Sequence, residues 1–215
     1  MGNIGGLIDY LKSTKFTENT VVVFTSDHVA PGFDGIPLPS NSPYTGYKGQ
    51  VAEGALRVPL FFWSEGNLIP AQVNNQLVSH MDLMATCFDI CGIDIPSELS
   101  LQGQTLKPCF NESEKLPVSV HDELIWVGYV TNNYYPRWLV QTNEYKLIYD
   151  KMDSLCLFHR DDFLESDDLS EELPLVVEDL HRRYEKWYTE VAVRSYKDDV
   201  LYEALDPKNS AFIAL

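Results

Sequence analysis

Three short runs carry residues whose types and spacing could do chemistry. Thr25-Ser26-Asp27-His28 sets a carboxylate beside an imidazole. One oxygen and one nitrogen donor in succession suit a divalent cation; oxygens favour calcium or magnesium, and imidazole favours zinc or manganese. Gly46-Tyr47-Lys48-Gly49 holds a lysine in a glycine-flanked turn, where backbone can come close to a ligand. Its ammonium is a mobile point charge for sulfate or phosphate oxygens. The third run, Glu53-Gly-Ala-Leu-Arg57-Val-Pro59, follows at once. Metal and lysine together are what the transfer of an anionic group requires.

The elements that must position these residues read as α/β. Thr20–Thr25 is β-branched and apolar on both faces, so the pattern predicts a buried strand of a parallel sheet ending at Asp27 and His28. In open α/β sheets ligands gather at the carboxyl ends of strands. Residues 29–46, rich in Pro, Gly and Ser, read as a long surface loop. Arg57–Trp63 reads as a second strand. Residues 3–13 and 77–91 show helical spacing, the latter ending at Gly92. From about residue 116 the pattern changes. Short β-like runs at 117–121, 124–131, 137–142 and 145–150 precede an amphipathic stretch, 174–193. That predicts a small antiparallel sheet packed by a C-terminal helix. The expected division is 1–115 and 116–215.

The charge balance excludes some partners. Against 16 Lys and Arg stand 32 Asp and Glu, a formal net charge of −16. Such a chain has no general attraction for nucleic acid or an anionic membrane. The apolar runs are far too short to span a bilayer, and Met1–Lys12 lacks the pattern of a secretory leader. Much of the negative charge lies in Asp161–Glu172, expected to be a solvated loop, since it lacks the spacing of a calcium loop. Cys87, Cys91, Cys109 and Cys156 form no C-x-x-C pair; Cys87 and Cys91 are expected to be buried free thiols. Asn111-Glu112-Ser113 is a glycosylation sequon.

The run N-T-V-V-V-F-T-S-D-H, then G-Y-K-G-x-x-x-E-G-x-x-R-V-P, resembles a signature region of sulfatases, within the alkaline phosphatase superfamily. Ser79–Leu83, Gly92 to Pro96, Gly103–Leu106, Tyr145-Lys-Leu-Ile148 and Leu157-Phe158 resemble later segments of that family in the same order. The resemblance implies a partial alkaline-phosphatase-like sheet with helices. It makes Asp27 a metal ligand, His28 a second one, and Lys48 a catalytic residue that contacts the sulfate. It implies a divalent metal, calcium by preference, a small sulfated substrate, and an exported or lysosomal setting: periplasmic, secreted or lysosomal. Glu53 and Arg57 are expected to form a buried ion pair or loop brace, and Asp82 to serve a helix or the core. His121 is a weaker substrate-binding candidate. Tyr134, Tyr135 and Trp138 could stack on a sugar, although strand aromatics favour the core.

Two departures qualify the match. The family's nucleophile is a formylglycine made from the Cys or Ser of C/S-x-P-x-R, and that motif does not occur in these 215 residues. Cys156-Leu-Phe-His-Arg160 copies its spacing, but Phe158 stands at the proline position. Val29 replaces a glycine that ordinarily follows the metal ligands; a positive φ there would strain a β-branched residue. The expectation is the C-terminal portion of a sulfatase, inactive alone, with an N-terminal sulfatase fragment or self-association completing it. The alternatives are a phosphodiesterase or phosphatase of the same superfamily, binding two zincs or manganeses, and a non-catalytic interaction module.

Overall fold

A computed structural model describes residues 2–32, 41–66, 68, 73–110, 119–129, 136–150 and 154–196. Two compact units are present, and each takes two stretches of chain. The first is Met1–Asp27 with Val58–His121; the second is His28–Arg57 with Asp122–Leu215.

The first unit opens with α1 (Gly2–Lys12) and a 3-10 turn, Lys15–Asn19, whose Thr14 cap accepts a bond from the Phe16 amide. Next comes β1 (Val22–Thr25), paired with β2 (Leu60–Trp63). The pairing corrects the expectation of a parallel sheet: the strands run antiparallel, with Val22 opposite Trp63 and Thr25 opposite Leu60. Burial is also less than expected, since Val23 is 36% exposed. Among the described residues each strand has one neighbour, so a doubly apolar strand keeps part of its surface outward. Phe24 and Phe61 face each other across the pair and stack at 5.0 Å.

The helix α3 (Asp82–Ile90) is shorter at its start than the apolar spacing predicts. Residues 77–81 stay outside it because Ser79 and Asp82 form a capping arrangement. The Ser79 amide donates to Asp82 Oδ2 at 2.7 Å, and the Asp82 amide to the Ser79 carbonyl at 3.0 Å. Gly92, at φ 65°, ends the helix as expected, and the Ile93 amide reaches back to the Phe88 carbonyl. Cys87 and Cys91 are free, as expected, but exposed rather than buried. The buried face of α3 carries Asp82, Ala85 and Thr86, and both thiols lie off it, as does Met84.

In the second unit β3 (Glu123–Tyr129), β4 (Pro136–Thr142), β5 (Tyr145–Asp150) and β6 (Ser154–His159) make an antiparallel meander in sequence order. Residues 119–121 belong to no strand, so the described part of the run 117–121 is a connection. Alternation gives the sheet two buried faces. Trp138, Val140, Leu147 and Leu157 line one, packed by Leu180 and Tyr184 of α4 (Pro174–Tyr196). Leu139, Ile148 and Phe158 line the other, against Val51 and Leu56. Trp138 is therefore core, stacked on Tyr184 at 4.0 Å. Tyr134, Tyr135 and the sequon at Asn111 lie outside the described residues.

The acidic run also has a structural task. Asp168 Oδ1 accepts from the amides of Leu157 and Ser170, both at 3.0 Å, and the Leu169 amide donates to the Leu157 carbonyl. The run thereby occupies the outer side of edge strand β6. Burial alone would raise the Asp168 carboxyl, but these amides, with Ser170 and Cys156, outweigh it and hold the group below its ordinary value. A depressed folded pKa stabilises the fold fully above the ordinary carboxylate range, and the contribution disappears as pH falls through the folded value. Asp168→Ala should therefore cost about 1 kcal/mol at neutral pH. Urea unfolding at pH 7 and at pH 3 checks this, with the difference from the unaltered chain shrinking at the lower pH.

Candidate functional site

Asp27 lies two residues past the end of β1, exposed, and closes the first unit's N-terminal stretch. Its strand end is braced: His80 Nε2 lies 2.9 Å from the Ser26 carbonyl and 3.2 Å from Thr25 Oγ1. His80, without a partner visible in the sequence, thus fixes the segment that presents Asp27.

His28 opens the second unit. Its Nδ1 lies 2.7 Å from the Val29 carbonyl. With Nδ1–H donating to that carbonyl, the neutral ring carries its lone pair on Nε2, the arrangement a metal-binding imidazole needs. Val29 itself is buried, and the only described non-glycine residue at positive φ is Glu165, so Val29 bears no left-handed strain. One carboxylate and one imidazole fit part of a cation's coordination shell. Among the described residues no group of three or more His, Cys, Asp and Glu side chains comes together as a metal site.

Lys48 sits exposed in the turn of the second unit. Both flanking glycines need their lack of a side chain: Gly46 has φ 96° and Gly49 φ 92°. The Lys48 amide donates to the Ala30 carbonyl at 3.2 Å, tying the turn to the segment just after His28. Asn41 clamps the same place, accepting from the Ala30 amide at 3.1 Å and donating to the Gly46 carbonyl at 2.9 Å.

Below this turn lies a buried ionic network. Lys146, on β5, has no exposed surface, and its Nζ reaches Glu53 Oε2 at 2.9 Å and Glu165 Oε1 at 3.2 Å. Glu165 Oε1 also accepts from the Glu53 amide at 2.8 Å, while its Oε2 accepts from Thr45 Oγ1 at 2.6 Å. Arg57 Nε donates to Glu53 Oε1 at 2.7 Å, and its guanidinium lies over the rings of Tyr44 and Phe163. Glu53 and Arg57, on and just after α2 (Glu53–Leu56), are the expected ion pair. The sequence reading missed its third and fourth members. Lys146 could have been found, because alternation within Tyr145–Asp150 places a cation on the same face as Ile148. Glu165 had no local signal inside an acidic run.

His121 belongs to the first unit, where its Nε2 is 2.8 Å from Oδ1 of Asp82. Asp82 is fully buried and also accepts the amides of Ser79 and Gln104. Gly103 is required there, because a Cβ on it would fall 1.9 Å from the Met81 carbonyl oxygen.

A buried cation between two carboxylates is a sensitive element. Lys146→Met should destabilise the chain by about 3–5 kcal/mol, since Glu165 and part of Glu53 lose their counter-charge. Adding Glu165→Gln should return part of that loss. Denaturant unfolding of both variants tests the pair, and equal, additive losses would contradict the coupling.

Residues 2–93 match the Sulfatase family model. An uncharacterized sulfatase, YdeN, of Escherichia coli strain K12 is 29% identical over 207 residues, covering 81% of this chain and 36% of that protein. N-acetylgalactosamine-6-sulfatase of Sus scrofa is 34% identical over 111 residues, 49% of this chain and 20% of that protein. Among solved structures, Ps i-CgsB in complex with k-i-k-neocarrahexaose superposes with a TM-score of 0.74 at 25% identity, covering 86% of this chain and 40% of that one. The chain thus spans well under half the length of the relatives it matches.

Proposed function

We propose that the chain is part of a sulfatase, the family whose model residues 2–93 match, and that it carries the sulfate-binding and part of the metal-binding apparatus of a sulfuric ester hydrolase. The observation that carries this reading is the Lys48 turn, bonded to Ala30 two residues beyond His28 and seated on the Lys146 network. Family members are metal-dependent and act on sulfated substrates. In this chain Asp27 and His28 would supply one oxygen and one nitrogen to the cation, with calcium as the metal we assign. Held by Asp27 and His28, such a cation would supply positive charge for an anionic group.

Lys48 is the catalytic residue of this reading. Its ammonium pairs with a sulfate oxygen and neutralises charge that the ester carries through reaction. The turn's fixed backbone means that little ordering remains to be done when the anion arrives. Residues 1–115 are assigned to the C-terminal part of the catalytic α/β domain and 116–215 to its small α+β subdomain, with Val51 and Leu56 packed on the subdomain's sheet. The substrate class we favour is a sulfated sugar. That choice draws on N-acetylgalactosamine-6-sulfatase and on the neocarrahexaose complex. No helix among the described residues is long and apolar enough to cross a membrane.

The 215 residues hold no C/S-x-P-x-R. The reading therefore predicts no turnover of an aryl sulfate by the purified chain; measurable hydrolysis would overturn it. An N-terminal sulfatase segment is the partner we propose as the source of the nucleophile; self-association, the other partner considered, would bring no such motif. Anion binding is a separate test. Inorganic sulfate, with calcium present, should shift the amide signals of Gly46–Gly49, and Lys48→Ala should weaken that binding about tenfold. Unchanged binding in Lys48→Ala would remove Lys48 from the site. Metal analysis of an active assembly separates the family from its phosphatase cousins: calcium supports this reading, and two zincs or manganeses the other.

A further inference from the structure

Beside Lys48 stands an aromatic ring with an unusual seat. Tyr47 is 43% exposed, yet its ring lies directly on the backbone of Gly32. A Cβ added to Gly32 would fall 2.6 Å from Cγ and Cδ2 of the ring and 2.8 Å from Cδ1. Gly32 is therefore what lets the ring lie flat. The Tyr47 backbone is fixed as well: its amide donates to Gln50 Oε1 at 3.1 Å, and its carbonyl accepts from the Gln50 amide at 3.0 Å. The positive φ of Gly46 and Gly49 sets the turn on either side. All of these residues belong to the second unit.

A surface tyrosine with no binding role is ordinarily free to choose rotamers. This one is held at both backbone and ring while keeping much of its surface in water. Rigid, part-exposed aromatic rings give large contact area at little cost in conformational entropy. The next residue in the chain is Lys48, whose ammonium takes the sulfate in the reading above. A sulfated pyranose has two parts for such a pair, an anionic substituent and an apolar C–H face.

We propose that Tyr47 is the stacking wall of a sugar subsite next to Lys48, against which the ring bearing the sulfate packs. The inference rests on the sulfate-binding reading of Lys48 and extends it to the sugar. Lys48 recognises the anion, and Tyr47 distinguishes a sulfated sugar from an anion alone. Gly32 and Gln50 act only through Tyr47, as positioning residues.

The experiment is a titration of the full chain, with calcium present, followed by amide shifts. The probes are a sulfated galactose disaccharide, its desulfated form and inorganic sulfate. Tyr47→Ala should weaken the sulfated disaccharide about tenfold and leave inorganic sulfate unchanged. Tyr47→Phe should keep the affinity of the unaltered chain. Gly32→Ala, which displaces the ring, should behave like Tyr47→Ala. If Tyr47→Ala changes neither ligand, or weakens both alike, the stacking role is wrong while the sulfate site stands. If Lys48→Ala leaves inorganic sulfate untouched, the underlying reading fails instead. A chain that binds inorganic sulfate but neither disaccharide overturns the subsite alone.

Discussion

The second unit depends on an ammonium group buried between two carboxylates. Lys146 issues from a sheet face that is otherwise apolar, alongside Ile148. Taking its charge out of water is worth several kcal/mol of penalty unless geometry repays it. Repayment comes from two segments distant in sequence, Glu53 on α2 and Glu165 beyond β6. Each carboxylate then has spare acceptor capacity, and those acceptors reach further: Glu53 to Arg57, and Glu165 to Thr45 and the Glu53 amide. Gly54 completes the junction, its amide donating to the Thr45 carbonyl at 2.6 Å where a side chain would not fit. One unfavourable burial therefore fixes both ends of the segment that contains Lys48. Glu165 adopts φ 52°, a left-handed backbone that costs a non-glycine residue energy. Its three polar bonds offset that cost.

The first unit uses the same principle with a different ion. Asp82 is fully buried, and its two oxygens serve the Ser79 amide on one side and the Gln104 amide and His121 on the other. A helix start, a loop and the unit's last residue converge on one carboxylate. Burial with several donors keeps such a group satisfied. It also gives His121, only a weak substrate-binding candidate in the sequence, a structural partner in Asp82.

Local pattern made much of this legible. Three strands of the C-terminal sheet, β3, β4 and β5, and α4 followed from short β-like runs and helical spacing, because those residues contact one another in sequence order; β6 was not read from its pattern, and the run 117–121 gave no strand in its described part. The Glu53–Arg57 pair was readable for the same reason, since i,i+4 neighbours on a helical turn meet. Partners far apart in the chain were not readable. Nothing near Glu165 distinguishes it from the acids around it, and its match to Lys146 exists only once β5 and the following loop are folded. The antiparallel pairing of β1 with β2 was hidden likewise. An apolar strand records that it is buried, not the direction of its neighbour. Cys87 and Cys91 fall in an apolar run, yet the inward face of α3 is chosen by Asp82 and Thr86, which hydrophobic spacing does not count.

Two lysines show how position rather than charge decides which side chain is open to a ligand in so acidic a chain. Lys146 and Lys48 carry the same group. The first spends its donors on Glu53 and Glu165, and being fully buried it can never meet a ligand. The second is exposed, with its backbone alone tied down, so its ammonium stays available to a ligand while its location is fixed. With a formal charge of −16, the molecule as a whole repels anions. A small anion is held only where acidic side chains are turned inward and occupied by cations of their own. In the second unit the buried network turns two acids inward: Glu53 and Glu165 face Lys146 and Arg57 rather than the solvent. Neutralising its own carboxylates is thus the same act, structurally, as holding the lysine in place.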